Sequence, residues 1–178
     1  PIPPVIGFFT SPTPELENAT SNLNSMLDDT TFQFGRGFYS SSFTETITST
    51  DPGASIIYTT DGSVPSVGNG TQVPAPDPSS VAQASVPIAT TTVLRAIAIR
   101  DNAIPTNVDT QTYLFHADVL TQNGAGLPSP PNNTSIWDYL MDPNVVNDPR
   151  LPNLEDDLKS IPSLSITLPA EDMWGTSG

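Results

Sequence analysis

Chemistry in this chain would have to come from carboxylates. They cluster in three places, Asp28-Asp29, Glu155-Asp156-Asp157 and Glu171-Asp172. Two carboxyls facing each other across a deep sugar cleft hydrolyse glycosides, but a small β-sandwich of roughly 80 residues, the fold argued below, rarely has such a cleft. Calcium needs six to eight oxygens, often from one acidic loop. No Asp-x-Asp-x-Asp-Gly string exists, so loop acids such as Asp61 and Asp101 with backbone carbonyls are the only calcium ligands left open, and no site is named. There is no cysteine, which excludes disulfides, thiolate zinc sites and thiol nucleophiles. His116 is the only histidine and Lys159 the only lysine. A triad or a two-histidine metal site needs partners that are missing, so His116 reads as a surface or hydrogen-bonding residue. Gly35, Gly37, Gly68 and Gly70 are not followed by Gly-Lys-Ser/Thr and are turn glycines rather than a phosphate loop. The expectation is no catalysis, with no catalytic, cofactor or metal residue to name.

Charge narrows the partners. Nineteen acidic against five basic residues leave a formal charge of −14. That field repels nucleic acid and anionic membrane surfaces. No apolar run approaches the ~20 residues needed to span a bilayer. Twenty prolines with abundant Thr, Ser and Asn fit an exported, β-rich protein placed outside the cell or on its surface. The sequons at Asn18, Asn69, Asn132 and Asn133 read as coincidences of a Thr-rich chain. Trp137, Tyr139 and Trp174 have aromatic faces suited to sugars, but their apolar neighbours Ile136, Leu140 and Met173 favour packing of the tail.

The positioning elements read as strands. In residues 43–50, Thr44, Thr46 and Thr48 share one face, and Phe43 and Ile47 the other. Asp51-Pro52-Gly53 is a turn, residues 54–60 are the next strand, and Asp61-Gly62 turns again. Residues 63–80 form a long Gly/Pro/Ser-rich loop, read as an insertion or contact loop. Residues 84–88 form an edge strand, because Pro87 cannot sit in a sheet interior. Residues 92–99 and 108–115 complete a small antiparallel sandwich. Its inward set is Phe43, Ile47, Ile56, Tyr58, Leu94, Ala96, Ala98, Tyr113 and Phe115, with Ala96 and Ala98 small to admit Tyr58 from across the sheets. After Phe115 the pattern predicts short helices at 135–141 and 152–159, a last alternating strand at 163–168, and a helical turn at 169–173.

Three strings carry a resemblance: Gly37-Phe-Tyr-Ser-Ser-Ser-Phe43, the Asp51 to Pro65 segment with Tyr58-Thr-Thr-Asp-Gly62 inside it, and Thr90-Thr-Thr-Val-Leu-Arg-Ala-Ile-Ala98. In this order they resemble the chitobiase/β-hexosaminidase C-terminal-type domain, over about residues 35–115. That implies an immunoglobulin- or fibronectin type III-like sandwich with an accessory, binding or spacer role. It also makes a polysaccharide-binding accessory module the alternative function. Residues 8–14 look like the exit of a lamin-tail-type domain. Residues 107–115, 141–150 and 161–166 look like the lead-in to a CotH-kinase-like region of large exported bacterial proteins. None of that kinase's nucleotide or metal motifs is present, so the resemblance carries over no activity.

The organisation expected is therefore a Pro-rich extended arm at 1–33, an all-β immunoglobulin-like sandwich at 34–116, and a tail of short helices plus one strand at 117–178. Val5, Ile6, Phe8 and Phe9 in the arm, and Leu164, Ile166 and Leu168 in the tail, are apolar, extended and outside the sandwich strings. Such segments pair with other edges. They are the expected inter-subunit contacts of a self-associating filament or surface-layer subunit. Neighbouring domains of a larger protein are the other expected partner.

Overall fold

The structure, a computed structural model, describes residues 23, 25–123, 125, 138–169 and 172. Strands build it: β1 (Ser25–Met26), β2 (Thr31–Phe32), β3 (Gly37–Phe38), β4 (Phe43–Thr48), β5 (Ser55–Thr59), β6 (Thr71–Val73), β7 (Gln83–Ile88), β8 (Thr92–Ile99), β9 (Ala103–Ile104) and β10 (Asp109–Leu114). Among the described residues three short helices are delimited after them, α1 (His116–Thr121), α2 (Pro143–Val146) and α3 (Leu154–Lys159). A five-stranded sheet, β3-β10-β8-β5-β6, faces a three-stranded one, β2-β4-β7, and β1 pairs with β9 beside them. The result is the expected small all-β sandwich. The long ladders are antiparallel, but β3–β10 and β1–β9 run parallel, so the sheets are mixed.

The five long strands lie where alternation places them. Ile47, Ile56, Leu94, Ala96, Tyr113 and Phe115 form the buried core with Ala84, Val86 and Ile88, while Phe43 and Tyr58 pack on it half-buried. Tyr58 meets Ala96 as a neighbour in the same sheet, not from the opposite one. Ala98 turns to a second cluster with Leu27, Ala54 and Ala103. Pro87 faces solvent on the edge strand β7, opposite Thr44. The segment read as one long loop contains β6, which extends the sheet beyond β5. Its turn is closed by Asp77, whose carboxylate accepts from Ser79 and Ser80 hydroxyls at 2.6 and 2.5 Å.

Residues 25–33, expected in the arm, are part of the sandwich. Leu27 is buried and β2 pairs with β4. The chain then leaves one sheet and joins the other at β3. A strand that changes sheets loses its ladder, so its amides need other acceptors. Side chains supply them. The Asp109 carboxylate accepts from Thr30 N and its hydroxyl at 3.1 and 2.5 Å. Glu45 Oε1 accepts from Gln33 N at 2.7 Å, and both Glu45 oxygens accept from Phe34 N at 3.2 Å. Gln111 Oε1 accepts from Arg36 N at 2.8 Å.

Glu45 is fully buried, and Tyr113 O–H from the facing sheet donates to its Oε2 at 2.8 Å. Burial, and then this hydrogen bond and the nearby carboxylate, push the Tyr113 phenol up. Around the pair, Phe43 meets Phe34, Tyr39 and Tyr113 with ring centroids 5.0, 4.5 and 5.3 Å away, in tilted and edge-on geometries favoured by aromatic quadrupoles.

The C-terminal part departs from expectation in two places. Residues 138–141, the described end of the first predicted helix, are not helical. Residues 163–168 carry no strand. The predicted helix at 152–159 forms over Leu154–Lys159, and Asp172 N bonds Pro169 O at 3.1 Å in a turn.

Candidate functional site

The surface that combines exposure, apolar side chains and a recess lies where residues 163–167 cross the outer face of the five-stranded sheet. On β10, Tyr113 points into the core, so Thr110, Thr112 and Leu114 point out. The Thr112 and Ser165 hydroxyls bond at 2.8 Å. Thr167 Cγ2 lies 3.8 Å from where a Cβ on Gly62 would stand. The small polar residues of the tail thus face the sheet, and its large apolar ones face away. Leu164 is 85% exposed and Ile166 68%; Leu168 is also exposed.

Of the seven predicted contact residues, the structure places these last three together on one outward stripe. Val5, Ile6, Phe8 and Phe9 lie outside the described residues. The alternation at 163–168 is real, but its apolar face is the outer one. The sheet face beneath is Thr-rich and takes hydroxyls rather than leucines.

Between tail and sheet lies a groove of about 490 Å³. Its apolar end is formed by Phe38 and Leu114, its rim carries Arg36 and Leu164, and its sides are Thr and Ser hydroxyls. Among the described residues no carboxylate lines it. Phe38 is 44% exposed and stands over the His116 ring, 4.5 Å away. Arg36 is the uncommitted cation among the described residues. Arg95 donates to Gly62 O at 3.1 Å, Arg100 to Pro52 O at 2.8 Å, Arg150 pairs with Asp148 at 2.7 Å, and Lys159 with Glu155 at 3.0 Å. Sequence reading missed this groove, because the strand that bears Phe38 and follows Arg36 is only two residues long.

The acidic residues of interest are dispersed. Asp28 N donates to an Asp51 carboxylate oxygen at 2.7 Å. Glu155 and Asp156 share Lys159 on α3. Asp61 accepts from the Ser63 hydroxyl at 2.6 Å and amide at 3.0 Å, which hold its carboxyl below the usual value. Among the described residues no three His, Cys, Asp or Glu side chains are grouped to hold a metal ion. His116 is buried rather than at the surface, and its Nδ1 has no hydrogen-bond partner. Glu45 went unnoticed in the sequence, although its parity with Phe43 and Ile47 put it on the inward face. Of the three aromatics weighed for sugar stacking, Tyr139 is half-buried and its carbonyl accepts from Gln122 Nε2; Trp137 and Trp174 lie outside the described residues. Among the described residues no helix is long and apolar enough to cross a membrane.

A family model described as Fn3 associated matches residues 46–113. The match runs from within β4 to Tyr113 in β10 and fits a fibronectin type III-like domain. Such a domain is typically a non-catalytic accessory module of a larger protein. The match does not extend to the arm, the tail or β3, and of the groove it covers only Thr110 and Thr112. No curated protein and no solved structure matches the chain.

Proposed function

We propose that this chain is a non-catalytic structural module of a larger exported protein, working outside the cell by holding neighbouring copies of itself. The observation that carries the reading is the outward stripe of Leu164 and Ile166, 85% and 68% exposed on a segment hydrogen-bonded to the sheet through Ser165. Contiguous apolar exposure of this kind marks interaction surfaces. The arm supplies a second apolar segment, Val5-Ile-Gly-Phe-Phe9. One copy's arm on another copy's tail face is a heterologous contact, which propagates into a filament or layer unless it closes. The flanks that resemble a CotH-kinase lead-in fit a module set within a larger exported protein.

Sedimentation velocity over a range of concentrations tests the reading. The full chain should associate. Deleting residues 1–9, or replacing Leu164 and Ile166 together by Asp, should yield monomers with an unchanged far-UV spectrum. A monodisperse monomer at the highest concentration reached would sink it.

A further inference from the structure

Resting on that reading, we infer that the groove between β3–β10 and residues 163–167 is the acceptor site for residues 1–14 of a second copy.

Charge is the first argument. Among the described residues the groove has no carboxylate, in a chain carrying 19 acids, and the proposed occupant matches it. From Pro1 to Pro14 there is not one charged side chain, and the first acid is Glu15. An uncharged segment brings no charge of its own into the recess, and Arg36 is exposed at its rim.

Backbone is the second. Among the described residues β3 ends its sheet, and its side away from β10 has no ladder partner. Unpaired strand edges accept extended segments. Pro3, Pro4, Pro12 and Pro14 in the occupant's sequence restrict backbone freedom, which lowers the ordering cost of docking. Phe38 and Leu114 give its apolar side chains a floor, and Leu164 gives them a wall.

Direction is the third, and it is compatible with a neighbour as donor. β1 pairs with β9, which precedes β10, whereas Phe38 is opposite Leu114 at the far end of β10. The chain therefore enters the sandwich at the end away from the groove's apolar floor. Donor and acceptor at opposite ends are the geometry of head-to-tail association.

The test uses two full-length variants in sedimentation velocity. Phe8→Asp with Phe9→Asp disables the arm. Thr112→Arg, on an outward-facing position, fills the groove, and Phe38→Asp serves as a second groove variant should Thr112→Arg misfold. Each variant alone should associate about tenfold or more weakly than the native chain. Mixed in equal amounts, an arm variant and a groove variant retain one working contact, so the mixture should form a heterodimer and stop there. A labelled peptide of residues 1–14 should bind the arm variant and not the groove variant. Native-like assembly by the groove variants overturns the inference while leaving self-association intact. Loss of assembly in each variant without complementation in the mixture also overturns it. A native chain that never associates removes both readings, and a peptide that binds neither variant removes the inference.

Discussion

Glu45 should be the most costly polar residue in the sandwich to truncate. It is fully buried, and its oxygens take the amides of Gln33 at 2.7 Å, Phe34 at 3.2 Å and Thr46 at 3.0 Å, and the Tyr113 hydroxyl at 2.8 Å. In Glu45→Ala, Gln33 N still has Thr46 O at 3.0 Å and Tyr113 still has Phe34 O at 3.1 Å. Phe34 N loses both of its side-chain acceptors, which costs about 1–3 kcal/mol for an orphaned donor. The void left by the side chain and the lost charge-assisted bonds bring the total to about 3–5 kcal/mol. Glu45→Gln keeps the volume and one acceptor, and should cost about 1–2 kcal/mol. Tyr113→Phe combined with Glu45→Gln should be non-additive by about 0.5–3 kcal/mol, because the two groups share a bond. Urea denaturation of the four proteins of this cycle, and of Glu45→Ala, measures these quantities. A Glu45→Gln protein within about 0.5 kcal/mol of native, with additive doubles, would show that the inter-sheet pin contributes nothing and refute the reasoning.

Leu94→Ala should cost about 2–5 kcal/mol in the same assay, since Leu94 is buried between the sheets, whereas Leu164→Ala should stay within about 0.5 kcal/mol under monomeric conditions. Asp77 sits at about 2, below its ordinary 3.8, because the Ser79 and Ser80 hydroxyls donate to it. A carboxyl lowered by folding stabilises the fold above its unfolded pKa, and that contribution disappears as pH falls through the folded one. Asp77→Asn should therefore flatten the acid limb of stability between roughly pH 4 and 2, and a carboxyl NMR midpoint for Asp77 near 3.8 would contradict this. Gly70 has φ +109° and no room, a Cβ there falling 2.5 Å from Tyr58 O, while Gly68 at φ +95° has nothing within 4 Å. Gly68→Ala should cost about 1 kcal/mol for backbone strain alone. Gly70→Ala should cost at least about 1 kcal/mol more, because the β5–β6 turn must shift; equal costs in thermal unfolding would refute the clash.

What the sequence determined by itself was the frame. β4, β5, β7, β8 and β10 each have five to eight residues. That is long enough for a period of two to mark the inward side chains, and Asp51-Pro-Gly and Asp61-Gly mark turns by local backbone chemistry. Tertiary structure decided the rest. β1, β2, β3 and β9 have two residues each and no period to read, so the sheet-changing segment and the groove beside β3 were invisible. The sign of the alternation at 163–168 was also open, because period two says that the faces differ and not which face meets the sheet; the hydroxyl bond between outward-facing Thr112 and Ser165, with Thr167 beside Gly62, decides it. Glu45 shows the same limit at one residue. Its parity was legible, but a carboxylate stays buried only if donors surround it. Its donors come from Gln33 and Phe34, 12 and 11 positions away, and from Tyr113, 68 positions away, contacts that exist only once the two sheets have closed.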